Sequence, residues 1–436
     1  MKIVLIDAFD YSGGGASRAA YRLHEGLRRV GVDSKLFVCY KGRHDPEVYA
    51  YEPNRAASSR LARRARQFRW SQEMKPYKKS IPFAHSFYLD DRSPFLADPL
   101  KQLPDADLIH VHWVAGFLDF GSFVRWLPKR MPLVWTIHDM SPMTGGCCYD
   151  LGCGRFSECC GACPQLGSPN SADPTRTAWE RKQRHYSFLD PDRVCVVTPS
   201  HWMEQQVGRS PLLGRFPRSV IPYGLDLEVF QPRDRRVARE VLGLPSDAQV
   251  LLFNAFNTHE FRKGYHLMDD ILSGMEPGRN IWLLSVGREG SFRSGRFNHV
   301  HFGAVENDRL LSFVYSAADV YLCPSLADNL PNTLLESVAC GTPVAAFEAG
   351  GVPDVVRPGV TGLLAAAGDT NRLCQAALEL LENRTKCLEL SANCRRIAVA
   401  EYALDLQAQR FQKLYSTMGA SALAKPCRQV GTRKSL

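Results

Sequence analysis

The pattern that most limits the fold of this chain is a short apolar run followed by a longer helix-like segment. The run KIVLID near the start is typical of a buried strand, and after a glycine turn Ala20, Leu23 and Leu27 recur at helical spacing. LIHVHW, LVWTIHD and RVCVVTPS continue this series, and QVLLFNAF, IWLLSVG, DVYLCPS and TPVAAFE restart it. Strand, helix and strand repeated in this way predict an α/β fold with two parallel sheets wrapped by helices.

The length of 436 residues is too great for one ordinary domain. We predict an N-terminal domain over residues 1–215 and, after a proline-marked hinge, a C-terminal domain over residues 220–402. A helix over residues 403–420 is expected to pack back on the N-terminal domain. Residues 421–436 are polar and basic, and we expect them to form a disordered tail.

The apolar runs and the charge of the chain indicate where it works and what it meets. The N-terminal run is shorter than the core of a signal peptide, and no run reaches the roughly 18 apolar residues of a membrane span. We therefore expect a cytoplasmic protein with reduced thiols. The formal net charge of +9 favours an anionic partner: nucleic acid, a membrane surface or a phosphorylated ligand.

Ligands of open parallel sheets bind beyond the carboxyl ends of the strands, so polar residues at those positions are the candidates for a site. Gly14 and Gly15 follow the first strand, where N–H groups can approach a phosphate. His138 follows LVWTI, and Arg262 with Lys263 follows QVLLFNAF, where a guanidinium fork and a point charge suit a diphosphate. The alternatives are a flexible turn, a structural histidine and a solvated surface pair.

The segment SLADNLPNTLLESVACGTPV is the most informative one. Asp328 lies in a loop after a strand, and Pro331 suits the first turn of a helix. The N–H groups near Asn332 and Thr333 would then face a departing phosphate. Glu336, further along, is placed to accept two adjacent hydroxyls of a ribose. The alternative is that both carboxylates only offset the helix dipole.

This segment resembles the signature of the retaining glycosyltransferases of family 4, which have the GT-B fold of two facing Rossmann-like domains. SGGGAS, TIHD, TPS, IPYGLD, RKG, GGVPDVV and GVTGLL occur in family order along nearly the whole chain. The resemblance implies an active site in the interdomain cleft and a nucleotide-sugar donor. It also implies a polysaccharide or lipid-linked oligosaccharide acceptor and catalysis that requires no cofactor.

The same resemblance gives each candidate residue a role. Glu336 holds the nucleotide ribose. The donor sugar is held by Asp328 and by the backbone that follows it, which comprises Asn329, Leu330, Pro331, Asn332 and Thr333. The remaining contacts come from other strand ends: Arg262 and Lys263 to the diphosphate, His138 to the reacting sugar, and the loop of Gly14 and Gly15 to the phosphates or the acceptor.

Two departures from the family pattern bear on these roles. Asp328 is one methylene shorter than the usual glutamate, which is expected to affect the donor-sugar preference. Asn257 and Thr258 stand where many members have an arginine, so Arg262 is the candidate substitute. The stretch Asp105–Asp107 resembles the metal-binding DxD of the other glycosyltransferase fold, but it precedes its strand and lies at the wrong end for the cleft.

Six of the fourteen cysteines fall in one loop, residues 144–167. Two of them form a CxxC pair, and four thiolates suit a closed tetrahedral zinc site. Free thiols, an iron–sulfur cluster and disulfides are the alternatives. A similar loop occurs in a subset of bacterial polysaccharide-biosynthesis transferases of family 4. This resemblance favours a structural zinc on Cys147, Cys153, Cys160 and Cys163, with Cys148 and Cys159 as extras.

Residues 55–79 hold nine Lys or Arg and one Glu. One interpretation is a solvated helix face, and the other is an interfacial helix. In the second case Leu61, Phe68 and Trp70 form the apolar side and the arginines meet anionic lipid. The pattern matches no known reader of nucleic acid, so nucleic acid is not predicted as a partner.

The function predicted from the sequence is transfer of a sugar, with retention of configuration, from a nucleotide sugar to a polysaccharide or lipid-linked oligosaccharide. A nucleotide-sugar epimerase or phosphorylase of the same fold is the first alternative. A membrane-associated scaffold without turnover is the second. The expected location is the cytoplasm, with peripheral attachment to the inner face of the cytoplasmic membrane.

Overall fold

The computed structural model describes residues 1–77, 89–254, 260–276, 280–288 and 295–424. Two sheets of parallel strands organise these residues, one in each half of the chain. Within the described ranges, no helix has both the length and the apolar character needed to cross a membrane.

The N-terminal sheet has seven strands, all parallel, in the spatial order β3-β2-β1-β4-β5-β6-β7. Their bounds are β1 Lys2–Phe9, β2 Asp33–Tyr40, β3 Val48–Ala50, β4 Leu108–Val111, β5 Leu133–Thr136, β6 Val194–Thr198 and β7 Arg218–Val220. Ile3 pairs with Ser34 of β2 on one side and with Leu108 of β4 on the other. Strands covered on both faces read as continuous apolar runs, as KIVLID does.

The C-terminal sheet has six described strands, all parallel, in the order β10-β9-β8-β11-β12-β13. Their bounds are β8 Gln249–Asn254, β9 Ile281–Val286, β10 Asn298–His301, β11 Val320–Cys323, β12 Val344–Glu348 and β13 Gly362–Ala366. In both sheets the second and third strands are added on one side of the first strand, and the later strands are added on its other side. This change of direction leaves a crevice at the carboxyl edge, where ligands of such sheets bind.

Helices cover both faces of each sheet and bury its apolar residues. The helices of the N-terminal half are α1 Gly15–Arg29, α2 Ala57–Met74, α3 Phe120–Trp126, α4 Pro174–Tyr186 and α5 His201–Arg209, of which α2 contributes no buried residue. Those of the C-terminal half are α6 Arg235–Val241, α7 Met268–Ser273, α8 Asp308–Ala317, α9 Asn332–Ala339, α10 Val352–Val355, α11 Thr370–Glu382, α12 Arg384–Glu401 and α13 Leu404–Ala424.

Two predicted boundaries differ from the structure. The N-terminal sheet extends past residue 215, because β7 pairs with β6 as an edge strand between two prolines. Prolines are tolerated beside an edge strand, so these two also fit the last strand of the sheet. Helix α13 continues to Ala424, four residues beyond the predicted end, through alanine and leucine, which are strong helix formers. Residues 425–436 of the predicted tail lie outside the described residues.

The last helix, α13, returns to the N-terminal domain. Phe411 and Tyr415 are buried in the same cluster as Ile3 and Leu5 of β1. The Tyr415 hydroxyl and His110 Nδ1 are 2.7 Å apart in a hydrogen bond, and His110 Nε2 bonds to a threonine of β5. His110 therefore links β4 to α13.

The carboxyl edges of the two sheets face each other directly. The Asn329 side-chain amide, beyond β11, donates to the carbonyl oxygens of Ile137 and His138, beyond β5, at 3.1 and 3.0 Å. The Asn332 amide donates to the carbonyl oxygen of Gly15 at 2.9 Å. These contacts bring the predicted strand-end residues of both halves into one cleft.

Candidate functional site

Asp328 is the centre of a charged cluster at the end of β11. Its Oδ2 accepts hydrogen bonds from Lys263 Nζ at 2.5 Å and from Arg262 Nη1 at 3.1 Å. Burial acts to raise the pKa of Asp328, but the two cations and the hydrogen bond from Lys263 outweigh it and lower the pKa to about 2. The carboxylate is therefore ionised at neutral pH, and it holds both predicted diphosphate-binding cations in one place.

The geometry of the loop that carries these cations depends on a glycine. Phe261–Lys263 form one 3₁₀ turn, and Gly264 follows in the left-handed region with φ of 69°. A Cβ at Gly264 would stand 1.8 Å from the carbonyl oxygen of Pro324, so no other residue fits there. The Arg262 carbonyl also accepts from Leu326 N at 2.7 Å. This close approach fixes the loop against the end of β11.

Glu336 lies on α9 and is buried. Its Oε1 accepts from Arg22 Nη2 at 3.0 Å, and its Oε2 accepts from the Tyr315 hydroxyl at 3.1 Å. Burial raises the pKa of Glu336, and the charge of Arg22 opposes that rise. Pro331 was predicted in the first turn of this helix, but it stands at the N-cap position, because its extended ψ of 122° is not helical.

The residues between Asp328 and the first turn of α9 mostly contact protein groups. The Asn329 N–H is hydrogen-bonded to Asp328 Oδ1 at 2.9 Å and to the Tyr149 hydroxyl at 3.2 Å, and its side-chain oxygen accepts from Ser200 Oγ at 2.6 Å. Leu330 is buried in the core of the C-terminal domain. Asn332 Oδ1 is buried and has no partner among the described residues. Thr333 has a side-chain hydrogen bond with Tyr321.

His138 is held through both ring nitrogens. Its Nδ1 bonds with the Tyr223 hydroxyl at 2.7 Å, and its Nε2 bonds with His112 Nδ1 at 3.0 Å. Burial lowers the pKa of His138 to about 3, so the ring is neutral at physiological pH. A neutral ring with both nitrogens bonded to protein groups is held firmly at the end of β5 and is not suited to carrying a proton.

The glycine loop after β1 presses against the start of α9. A Cβ on Gly15 would come within 3.2 Å of Asn332 Nδ2, and one on Gly13 would clash at 2.7 Å with Phe9 and Ser17. A Cβ on Gly14 would meet nothing within 4 Å, and the φ of Gly14, −71°, is ordinary. The fold therefore requires a glycine at position 13 and leaves the backbone at position 14 accessible.

Three residues of the cleft were missed by the sequence analysis. His112 was not selected, although it follows the end of β4 and so meets the strand-end criterion that selected His138. Arg22 lies within α1, where a charged residue among apolar neighbours was the only signal. Tyr149 lies among the cysteines, and no pattern in the sequence connects it to Asp328, to which its hydroxyl donates at 3.4 Å.

The cysteine-rich loop surrounds one cavity, which is lined by Cys147, Cys153, Cys160 and Cys163, while Cys148 and Cys159 are not part of its lining. The backbone N–H of Gly145 donates to Cys160 Sγ at 3.1 Å, a contact that also suits a thiolate. Burial raises the pKa of the Cys160 thiol to about 12. In the part of the chain that the structure describes, no three His, Cys, Asp or Glu side chains have the arrangement of a formed metal site. Four cysteine sulfurs around one enclosed cavity are suitable ligands for zinc. In this structure, however, they are not spaced as they would be around a bound zinc ion.

This loop also reaches the charged cluster. The Tyr149 ring lies 4.8 Å from the guanidinium carbon of Arg262, and the Tyr149 hydroxyl contacts Asp328 and Asn329. Gln165, which lines the cavity of the cysteines, donates to the Tyr149 carbonyl at 2.6 Å. The loop therefore supports the side of the cleft that carries Asp328.

Two family models match this chain. The model described as Glycosyltransferase Family 4 matches residues 13–229, and the model described as Glycosyl transferases group 1 matches residues 257–383. The chain belongs to glycosyltransferase family 4. One relative of this chain is the D-inositol 3-phosphate glycosyltransferase of Mycobacterium avium (strain 104). The two sequences are 29% identical over 291 residues, which is 63% of this chain. The chain spans 61% of the length of that relative.

Solved structures share the architecture of this family 4 chain. A sucrose-phosphate synthase from Thermosynechococcus elongatus superposes with a TM-score of 0.65 at 20% identity, over 96% of this chain and 99% of that one. HepE from Anabaena, in complex with UDP and glucose, superposes with a TM-score of 0.66 at 17% identity, over 96% and 100%. The likeness at these identities concerns the fold, and it confirms the predicted GT-B class of two Rossmann-like domains.

Some of the predicted features fall outside the described residues. Asn257 and Thr258, which stand where many family members have an arginine, are among them, as are Lys78 and Lys79 of the basic stretch. Asp105–Asp107 precedes β4, as predicted, and the Asp107 carboxylate accepts from the backbone N–H of Lys2 at 2.7 Å. It therefore lies at the edge of the sheet opposite to the cleft.

Proposed function

We propose that this chain transfers a sugar from a nucleotide-sugar donor to a saccharide or lipid-linked saccharide acceptor, with retention of the anomeric configuration. The observation that carries this proposal is the cluster of Arg262, Lys263 and Asp328 at the N-terminal side of α9, opposite His138. Two cations beside a helix N-terminus form a site for a diphosphate. HepE, whose fold is the same, has been crystallised with UDP-glucose, which supports a donor of this class.

The proposed reaction exchanges one bond at the anomeric carbon of the donor sugar. The bond from that carbon to the diphosphate oxygen breaks, and the acceptor oxygen bonds to the carbon from the same face, which retains the configuration. The acceptor proton passes to the departing diphosphate. Arg262 and Lys263 stabilise the charge that develops there, which is the kind of interaction that accelerates such a step. Neutral His138 positions the reacting sugar, and we assign no cofactor to the transfer.

The test of this function is product analysis with the full chain. Purified protein is incubated with UDP-, GDP- and ADP-sugars and with a panel of saccharide acceptors, and the products are analysed by mass spectrometry and NMR. We expect release of the nucleoside diphosphate together with a glycoside of the donor's own anomeric configuration. An inverted product, a converted nucleotide sugar without transfer, or no consumption of any donor would contradict the proposal.

We further propose that α2 attaches the enzyme to an anionic membrane surface. This 18-residue helix has no buried residue, and Leu61 and Phe68, seven residues apart on one face, are 70% and 67% exposed. Arg60 and Arg64 flank this face, whereas Arg66 donates to the Pro94 carbonyl. Exposed apolar side chains bordered by arginines are typical of a helix that lies in the headgroup region.

Replacing Arg60, Arg64 and Arg69 with Gln is expected to weaken binding to phosphatidylglycerol vesicles. Each charge near such a surface contributes about 1 kcal/mol, so the loss is on the order of 10²-fold. Vesicle cosedimentation measures it. The control replaces Arg236, Arg372 and Arg396 of the C-terminal domain, which are also exposed, and is expected to bind as the wild type does. Equal binding by both triple variants would mean that α2 is only a solvated face.

The third proposal is a structural zinc on Cys147, Cys153, Cys160 and Cys163, which would draw the four sulfurs around the cavity together. Metal binding would release protons from the thiols, and burial raises the pKa of those of Cys147, Cys160 and Cys163. Closing a long loop in this way offsets the entropy of its free ends. The loop would then hold Tyr149 against Asp328 more firmly, without taking part in the transfer.

Elemental analysis of the purified protein is expected to find about one zinc per chain. Cys163→Ser should lose the metal and lower the melting temperature, because the loop is no longer closed. Cys159→Ser, outside the lining of the cavity, should keep the metal and the melting temperature of the wild type. Brief treatment with EDTA should leave turnover intact, because no cofactor is assigned to the transfer. Metal-free protein whose four cavity thiols are readily alkylated would show that the loop is not a zinc site.

A further inference from the structure

A buried arginine joins the two domains at the proposed ribose site. Arg22, on α1 of the N-terminal domain, donates through Nη2 to Glu336 Oε1 at 3.0 Å and to Asp308 Oδ2 at 3.2 Å. The Arg22 and Glu336 side chains are 5% and 4% exposed. The Arg22 guanidinium also lies 5.2 Å from the ring centre of Phe230. One helix of the N-terminal domain is thus tied to two helices, α8 and α9, of the C-terminal domain.

Both oxygens of Glu336 have protein partners in this arrangement. Oε1 accepts from Arg22, and Oε2 accepts from the Tyr315 hydroxyl at 3.1 Å. Asp308, the second carboxylate on Arg22, also accepts from the Tyr11 hydroxyl. The Glu336 side chain is 4% exposed, so a ribose can reach it only if a covering group moves away, and Arg22 is the covering group that comes from the opposite domain. The carboxylate that is proposed to bind the donor is therefore closed by the opposite domain.

The closed arrangement is not fully satisfied. Arg22 Nη1 is buried and has no hydrogen-bond partner among the described residues. A buried donor without an acceptor destabilises the state that contains it. The desolvation of two buried ions also cancels much of their attraction. The contact is therefore well placed to open when a ligand supplies hydrogen bonds to Glu336 in its place.

We propose that the ion pair of Arg22 with Glu336 is an interdomain latch that the ribose of the donor must open. This inference rests on the proposed function, because it takes Glu336 as the ribose ligand. A latch lowers the apparent affinity for nucleotide in proportion to the latched fraction of the protein. Arg22 thus sets how tightly the donor binds.

Isothermal titration of the full chain with UDP, GDP and ADP tests the latch. Arg22→Met is expected to bind the nucleotide that the wild type prefers at least about 5-fold more tightly, because no latch has to be opened. Arg28→Met is the matched control, since Arg28 lies on the same helix but pairs with Asp45 inside the N-terminal domain. It is expected to bind as the wild type does.

A second variant serves if Arg22→Met does not fold. Asp308→Asn removes one of the two carboxylates from Arg22 and leaves Glu336 intact, so it should shift the affinity in the same direction. Weaker or unchanged nucleotide binding by both variants would overturn the latch and would mean that Arg22 stays in place to orient Glu336. If the wild type binds none of the three nucleotides, the proposed function itself fails. If Glu336→Gln binds them as the wild type does, the ribose site lies elsewhere and the latch is rejected.

Discussion

Lys263→Ala is expected to lower kcat by roughly 10²–10³-fold, the usual effect of removing one group that stabilises charge in a transition state. Lys263 Nζ lies 2.5 Å from Asp328 Oδ2 and keeps 37% of its side chain exposed, so it is held in place and still accessible to a ligand. The charge of the departing diphosphate develops during the reaction, so KM should change less than kcat. Steady-state kinetics with the preferred donor measure both.

The matched control for this variant is Lys101→Ala. Lys101 is an exposed lysine of the N-terminal domain, and it is paired with Asp98 as Lys263 is paired with Asp328. We expect its kcat and KM to be those of the wild type. If Lys263→Ala raised KM alone, the lysine would bind donor and transition state equally. If it changed neither constant, the diphosphate would be held elsewhere.

Asp328→Asn is expected to damage both stability and activity. The carboxylate neutralises Arg262, which is largely buried, and Lys263, which is partly exposed. Removing one partner of a buried ion pair costs about 3–5 kcal/mol, and the exposure of Lys263 places this case near the lower end. Activity should fall by roughly 10²-fold or more, because Lys263 loses the carboxylate that positions it and Arg262 keeps its ion pair with Glu260 but loses the one with Asp328. Denaturant titration and donor turnover measure the two effects.

The pH dependence gives this variant a second readout. The folded-state pKa of Asp328 is about 2, below the usual aspartate value of 3.8. Its contribution to stability is therefore complete above about pH 4 and is lost as the pH falls from there through about 2. Asp328→Asn should lack this part of the acid destabilisation. Asp270→Asn, an exposed aspartate on α7, should keep it. If Asp328→Asn were as stable and as active as the wild type, Asp328 would have no role in the site.

Asp328→Glu is the informative conservative change. It restores the side-chain length that is usual in the family and retains the negative charge for Arg262 and Lys263. We expect near-wild-type stability and a changed ranking of donor sugars in the same product assay. If the ranking were identical to that of the wild type, the length of this side chain would not determine which donor sugar is preferred.

The sequence pattern was sufficient for the architecture and for the strand-end positions of several candidate residues. Buried parallel strands require continuous apolar runs, and helices on their faces require a helical period, so both sheets were predictable from local composition. The carboxyl ends of such strands lie on one edge of the sheet, so His138, Arg262 and Asp328 were placed correctly at strand ends. Which residues of a strand are apolar, and where the loop after it begins, follow from residues that are near in sequence.

Only the tertiary structure decided which of these groups meet. Arg22 and Glu336 are 314 positions apart, and Tyr149 and Asp328 are 179 apart. Whether such groups touch depends on how two domains settle against each other, which is set by shape and charge across the cleft. No local period encodes that arrangement, and a buried arginine in a helix or a tyrosine among cysteines has no pattern that names its partner. The sequence by itself therefore determined the two sheets and their strand ends, and the packing of the domains determined that Glu336 is closed by Arg22 and that the cysteine-rich loop supports Asp328.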